Sequence, residues 1–446
     1  MTKKTVDTAI YPRWLAPVDP TQGRILRDSC LIINQGAIVD ICSAADAQAN
    51  YTANEEIRLP GHLVIPGLIN AHGHAAMSLL RGYADDLPLK PWLEEHIWPA
   101  EAAHVSDAFV REGTELAIAE MLLGGTTCFS DMYFFPEAAA AVAEAAGMRA
   151  QICIPVMEFP TPWASGPAEY LAKGEQLLAQ YQGHETVSMA LGPHAPYTVS
   201  DDTFTRLKAL ADSYHCPIQV HLHETAHEVT SALAESGERP SQRLAKLGIL
   251  APSTQCVHMT QLDDSDIALL KRTGAQVVHC PESNMKLASG ICPSAKLIDA
   301  GVNICLGTDG AASNNDLNML GEMRTAAFLG KVAAGDPAVM GADTLLAMAT
   351  INGAKALGID HLVGSLSVGK RADIAAIALD DLQFAPLYDP IAHLLYTECA
   401  HKVSHVWVDG KLLVQERKLN TLNAENILHN AQQWQARISA AAKDSE

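Results

Sequence analysis

The chain is poor in positive charge: 31 lysines and arginines stand against 51 aspartates and glutamates, a formal charge of −20 over 446 residues. No local basic patch offsets this, so nucleic acid and anionic membrane surfaces are excluded as expected partners, because their phosphates would be repelled. The chain also lacks any run of about 18 apolar residues, the length a membrane-spanning helix needs. Its first twenty residues, MTKKTVDTAIYPRWLAPVDP, contain no uninterrupted apolar stretch of the secretory kind. The ten cysteines, at positions 30, 42, 128, 153, 216, 256, 280, 292, 305 and 399, form no CxxC pair and no framework spacing. Reduced, mostly buried thiols and a cytoplasmic setting are therefore expected. Internal repeats and low-complexity segments are missing as well.

What is present is a large core: 48% hydrophobic against 18% charged residues describes a globular protein. The length suits a barrel of roughly 250 residues with an attached domain. TVDTAIYPRWLAPV, CLIINQGAIVDICS and EEIRLPGHLVIPG fill residues 5–67 with short alternating segments that read as β-structure. GLINAHGH, GGTTCFSDMY, RAQICIPVME, VSMALGPHAPY, PIQVHLHET, TQCVHMT, AQVVHCPES and VNICLGTDG then recur as apolar runs with polar ends, separated by Ala-rich, helix-patterned stretches. Eight such βα units predict an α/β fold with a closed (β/α)8 TIM-like barrel over residues 65–360. After residue 360, VGSLSVGKRADIAAIAL and HKVSHVWVDGKLLVQE read as antiparallel strands, followed by an amphipathic tail helix near AENILHNAQQWQARISAAA. Residues 1–64 and 361–446 are expected to meet as one small β-sandwich domain.

In NAHGHAAM, His72 and His74 lie two apart, so in an extended chain they point the same way, a chelating arrangement. Hydrogen-bonded imidazoles at a strand end would look the same. Catalytic groups of a barrel sit where its strands end, and the other runs end in His194, in His221 with Glu224, in His258 and in Asp309. All would converge on one face. Histidines and an aspartate supplied by different strands offer N and O ligands to a divalent ion and leave a position for water, the pattern of a catalytic metal site. His223 alternates away from His221, and His279 in VVHCPES reads as a hydrogen-bonded scaffold residue. Cys256 reads as core, and Arg149 as structural.

PGLINAHGHAAMSLLRG, HLHE, VHMT, HCPESNMKLASG and LGTDGAASNNDLNML, with GSLSVGKRADI and VSHVWVDGK of the terminal segments, resemble the amidohydrolase superfamily, and within it the 5'-methylthioadenosine/S-adenosylhomocysteine deaminases. The resemblance covers nearly the whole chain. It implies one zinc ion per subunit held by His72, His74, His221 and Asp309. It further implies that Asp309 takes a proton from the attacking water, that Glu224 protonates the purine ring nitrogen, and that His258 hydrogen-bonds the attacking hydroxide or the developing oxyanion. The run VSMALGPHAPYT offers neither lysine nor glutamate to bridge a second ion. A His3Asp set also accepts iron or manganese.

Three further residues match the family's substrate contacts: Glu101 with the ribose hydroxyls, Trp92 as an aromatic wall near the 5'-substituent, and His194 with base or ribose. By position alone Trp92 could be core and Glu101 a solvated helix residue. Family members that accept S-adenosylhomocysteine carry arginines after the third strand, suited to a carboxylate, whereas ICIPVMEFPTPWASGPAEY has none. Val156, Met157, Phe159 and Trp163 are expected to surround a methylthio group there. The implied activity is hydrolytic deamination of an adenine nucleoside, 5'-methylthioadenosine ahead of adenosine and S-adenosylhomocysteine. The alternatives are a deaminase or hydrolase of guanine, 8-oxoguanine, cytosine or a chlorotriazine on the same scaffold, and, more remotely, a non-enzymatic scaffold protein. A homo-oligomer, by resemblance a dimer, is the expected assembly.

Overall fold

The computed structural model describes residues 3–443. The chain opens with β1 (Lys4–Leu15), β2 (Leu26–Arg27), β3 (Ser29–Asn34), β4 (Ala37–Ser43) and β5 (Tyr51–Pro66). β3 and β4 form a hairpin whose two turn residues, Gln35 and Gly36, both have positive φ (50° and 74°), the turn that matches strand twist. β1 pairs antiparallel with β3 but parallel with β5, and a parallel pair needs a crossover. Part of that crossover is a helix, Ala44–Asn50, where strands alone were expected: the Ala-rich AADAQAN follows Ser43, whose side chain caps the Asp46 amide at 3.0 Å.

The barrel follows, with β6 (Leu68–Gly73), β7 (Thr126–Met132), β8 (Arg149–Val156), β9 (Val187–Pro193), β10 (Ile218–Leu222), β11 (Thr254–His258), β12 (Gln276–His279) and β13 (Ile304–Leu306). They are parallel neighbours in chain order. Both faces are covered, so their residues are almost all buried. The helix Pro136–Ala146 packs closely because Ala138, Ala139, Ala140 and Ala143 are small and fully buried. The seam between β13 and β6 is closed by single bonds. The Asp309 amide donates to the His72 carbonyl (3.1 Å), and the Asn70 side chain accepts from the Thr308 amide (2.9 Å) while donating to its hydroxyl (2.7 Å). Gly307 permits the approach, because a Cβ there would lie 2.8 Å from the His72 nitrogen.

β14 (Ile374–Ala378), β15 (Val403–Val408), β16 (Lys411–Gln415) and β17 (Lys418–Leu419) then return antiparallel to β5, completing a nine-stranded mixed sheet from both ends of the chain. This sheet curls until β4 meets the segment before β14: the Ile38 amide donates to Lys370 and Gly369 donates back, each at 2.8 Å. Ile10, Leu31, Ile33, Val64, Ile374 and Trp407 fill the space enclosed. The two layers are thus halves of one hydrogen-bonded sheet. The tail helix Ala424–Lys443 turns back to the barrel instead, setting Trp434 edge-on to Phe109 (5.2 Å) and its indole N–H on Glu112 of the helix Asp107–Leu123.

The barrel base is joined to this sheet by charge. Arg149, the first residue of β8, forks onto Asp373 (Nε–Oδ2 2.8 Å, Nη2–Oδ1 3.0 Å), with Asp409 at 3.7 Å. Asp373 also accepts the Asp409 amide at 2.8 Å. The Arg149 and Asp373 side chains are 4% and 2% exposed, so this is a buried, fully partnered ion pair. Among the described residues no helix is long and apolar enough to cross a membrane, and all ten cysteines are free thiols.

Candidate metal and catalytic site

The opposite end of the barrel holds a cavity of about 330 Å³. Of the nine residues singled out in the sequence, His74, Trp92, Glu101, His194, His221, Glu224, His258 and Asp309 line it, and His72 lies directly behind, fully buried. Two of them, and one neighbour, are held in backbone conformations that side chains rarely adopt: φ is 75° at His258, 62° at Asp309 and 53° at His223, next to Glu224. Such bends at strand ends store strain in exchange for aim.

The imidazoles share one hydrogen-bonding plan. His72 Nδ1 meets Gln219 Oε1 at 2.7 Å, His74 Nδ1 the Met132 carbonyl at 2.6 Å, His221 Nδ1 the His194 carbonyl at 2.7 Å, and His258 Nδ1 Asn284 Oδ1 at 2.8 Å. Each partner is an acceptor, so each Nδ1 carries a proton and donates it, and the Nε2 atoms face inward. His72 and His221 bring their Nε2 atoms within 3.2 Å of each other, and Asp309 Oδ1 lies 3.5 Å from His72 Nε2 and 3.2 Å from His74 Nε2. Lone pairs and a carboxylate crowded this closely repel unless a proton or a metal cation lies among them. The donor set therefore fits a divalent metal of the borderline kind, zinc included. Two triads meet the spacing, His72–His74–Asp309 and His72–His221–His258.

Electrostatics sort the site's groups. Burial pulls His72, His221 and His258 below the usual imidazole range, leaving their lone pairs free. Burial acts the same way on His74, yet the Asp309 carboxylate beside it pushes it up to about 9. Asp309 itself is held well below the usual carboxylate range: burial opposes ionisation, but His72 and His74 outweigh it. Ser283 and Ser313 donate to its Oδ2 at 2.6 and 3.1 Å. Glu224 is the opposite case. Burial first, and Asp309 second, push it up to about 8, so at neutral pH it holds a proton it can give. Glu228 fixes its place by accepting the His223 and Glu224 amides at 2.9 and 2.8 Å.

Glu101 is 8% exposed, and burial pushes it up to about 7 although Tyr133 donates to its Oε1 at 2.6 Å. Trp92 is buried in a π-helical turn, Trp92–Ile97, against the cavity. His194 Nδ1 contacts the Thr198 hydroxyl at 3.0 Å. Among the described residues, no lysine or arginine lines the cavity.

Three expectations need correction. Trp163 and Val156 do not line the cavity, whereas Met157 and Phe159 do. Trp163 points away, its indole N–H shared between both Glu137 oxygens at 3.1 Å and its ring 5.8 Å from Tyr170. His279 is buried but not hydrogen-bonded: both ring nitrogens lack a partner. Tyr133, Gln219, Glu228 and Asn284 escaped the sequence reading. Asn284 stood within the HCPESNMKL motif, and Glu228 four residues after Glu224, a helical spacing that could have flagged it.

Residues 63–413 match the model of the amidohydrolase family. The chain is 54% identical to a 5-methylthioadenosine/S-adenosylhomocysteine deaminase of Saccharophagus degradans over 99% of both chains. Among solved structures, an adenosine deaminase from Xanthomonas campestris with bound zinc superposes with a TM-score of 0.97 at 44% identity, covering 98% of this chain and all of that one. Atrazine chlorohydrolase from Arthrobacter aurescens, complexed with zinc, superposes with a TM-score of 0.89 over 96% of this chain and 99% of its own. At 24% identity the chlorohydrolase is alike in fold alone.

Proposed function

The chain belongs to the amidohydrolase family, in its 5'-methylthioadenosine/S-adenosylhomocysteine deaminase branch, and we propose that it deaminates 5'-methylthioadenosine hydrolytically to 5'-methylthioinosine and ammonia. The observation that carries the reading is the pairing of a protonated buried acid, Glu224, with converging imidazole lone pairs in one arginine-free cavity. Residues 65–360 form the catalytic unit in this reading. His72, His74, His221 and Asp309 would hold one zinc ion per chain, which when bound would make hydroxide available from water at neutral pH.

The chain's own residues divide the proton work. Asp309, ionised and steadied by Ser283 and Ser313, takes the proton of the attacking water. Glu224 delivers its proton to N1 of the purine, because C6 is a poor electrophile until that nitrogen is protonated. His258, Nδ1 bound to Asn284, faces the oxygen that adds at C6. The amino group then takes the proton held by Asp309 and leaves as ammonia, while the oxygen added at C6 gives its remaining proton back to Glu224. Glu101 receives the ribose hydroxyls, with Trp92 and His194 beside the nucleoside.

An apolar wall containing Met157 and Phe159, with no cation, favours a methylthio group over the charged amino-acid tail of S-adenosylhomocysteine, since an unpaired buried carboxylate is strongly disfavoured. Adenosine is the slower substrate, and a homodimer in the cytoplasm is the expected assembly and setting. Ammonia release from 5'-methylthioadenosine, adenosine, S-adenosylhomocysteine and guanine by the zinc-loaded protein tests the reading. Methylthioadenosine should lead. Activity confined to guanine, or equal rates with S-adenosylhomocysteine, would overturn the substrate assignment.

A further inference from the structure

The middle of the barrel contains something its packing does not call for. Barrel interiors are filled mainly by branched apolar residues, yet here three glutamines from three strands meet in the core: Gln151 on β8, Gln219 on β10 and Gln255 on β11, exposed by 2%, 0% and 0%. They form an unbroken chain. His72 Nδ1 contacts Gln219 Oε1 at 2.7 Å, Gln219 Nε2 donates to Gln255 Oε1 at 2.6 Å, and Gln255 Nε2 donates to Gln151 Oε1 at 2.8 Å. Gln151 Nε2 closes the line on the Leu357 carbonyl at 3.1 Å.

The direction of this chain is fixed. A side-chain amide can ordinarily be turned over to exchange its oxygen and nitrogen, but each of these also faces a backbone carbonyl, which can only accept. Gln219 Nε2 donates to Ala71 at 3.0 Å, Gln255 Nε2 to Ala356 at 2.9 Å, and Gln151 Nε2 to Leu357. Turning any one over would set oxygen against oxygen at one of its ends and nitrogen against nitrogen at the other in a dry core, where an unmade polar contact costs about 1–3 kcal/mol. The carbonyl of Ala71 and, through Gln255 and Gln151, those of residues 356 and 357 at the end of the helix Ile351–Ala356 therefore together determine which atom Gln219 shows to His72. That atom is an oxygen. His72 must then carry its proton on Nδ1 and keep the Nε2 lone pair facing His221, His74 and Asp309.

We propose that Gln219, Gln255 and Gln151 form a directional hydrogen-bond relay that fixes the tautomer of His72 and so holds its Nε2 lone pair toward the metal site. These are positioning residues; none of them lines the cavity. The inference rests on the reading of His72 as a metal ligand. Its first half, the tautomer, can be tested without metal.

Ring 15N resonances of histidine report which nitrogen is protonated, and His72→Gln assigns the His72 pair. In metal-free wild type, His72 should be protonated on Nδ1. Gln219→Met, which keeps bulk and removes both amide ends, should give mixed tautomers and weaken zinc by 10- to 100-fold in chelator competition, the range of outer-shell substitutions at metal sites. Gln255→Met, one link further away, should do the same more weakly. Gln219→Glu, neutral in the core, can still accept from His72 and donate to Gln255, and should restore the wild-type tautomer and most of the affinity. Should Gln219→Met fold but keep the wild-type ring signature and zinc affinity, the glutamines are packing and the proposal is wrong. Should the tautomer follow the relay while zinc affinity ignores both Gln219→Met and His72→Gln, the relay stands and the reading of His72 as a ligand fails.

Discussion

The two ends of the barrel treat charge in opposite ways. At the base, Arg149 meets Asp373 and Asp409 with every strong donor and acceptor partnered, and the result is a joint between barrel and terminal sheet. At the mouth, the Nε2 atoms of His72, His74 and His221 crowd together with the Asp309 carboxylate, while their outer atoms are bound to Gln219, Met132, His194, Ser283 and Ser313. Matched charge seals, whereas charge held deliberately unmatched, by partners on its far side, keeps a place for something else. The same barrel supplies both because strand starts face the sheet and strand ends face the cavity.

The sharpest way to separate the ends is to disable each and read both activity and stability. Glu224→Gln should lower kcat by about 10²–10⁴, the range of general acid–base catalysis, with zinc content and thermal midpoint close to wild type. Arg149→Met should do the converse. Removing one partner of a buried pair costs about 3–5 kcal/mol, read as a fall in denaturation midpoint, with kcat of the folded protein unchanged. A loss of kcat in Arg149→Met that exceeds the unfolded fraction would break the comparison.

Smaller effects sharpen the picture inside the mouth. Glu101→Gln replaces a charged acceptor and should raise KM for nucleosides roughly 10- to 100-fold, the equivalent of about 1.5–3 kcal/mol for a charged hydrogen bond, without a matching effect on a free base. Burial pushes Glu101 up to about 7, so its carboxylate form is lost as pH falls through that value. Wild-type KM should rise there, and Glu101→Gln should flatten the rise. Met157→Ala should cost methylthioadenosine about 1–3 kcal/mol in kcat/KM relative to adenosine, the worth of a lost hydrophobic contact in a specificity pocket. Trp163→Phe, which lies outside the cavity, should leave that ratio alone and register only in stability.

Legibility in the sequence followed the same division. Polar residues that end apolar runs stand out, and His72, His74, His221, Glu224, His258 and Asp309 were all visible that way, as were the eight strands that carry them. Residues that act from behind were not. Gln219 precedes His221 by two positions and looks like any polar strand residue until the barrel closes and Gln255 and Gln151 come beside it. Trp163 misled because distance along a chain past β8 does not tell which way the connection turns; Glu137, from another helix, captures it. The surrounding alternation hides the helix Ala44–Asn50, seven residues of which the four alanines and Gln48 are good helix formers.

A metal count tests the account most directly: zinc-reconstituted wild type, His221→Ala and His258→Ala, dialysed together and assayed for zinc per chain. The account predicts one zinc in wild type and in His258→Ala, and almost none in His221→Ala. A wild type that holds no zinc, or a His221→Ala variant that keeps it, would contradict the assignment of the barrel mouth as a metal centre built on His72, His74, His221 and Asp309.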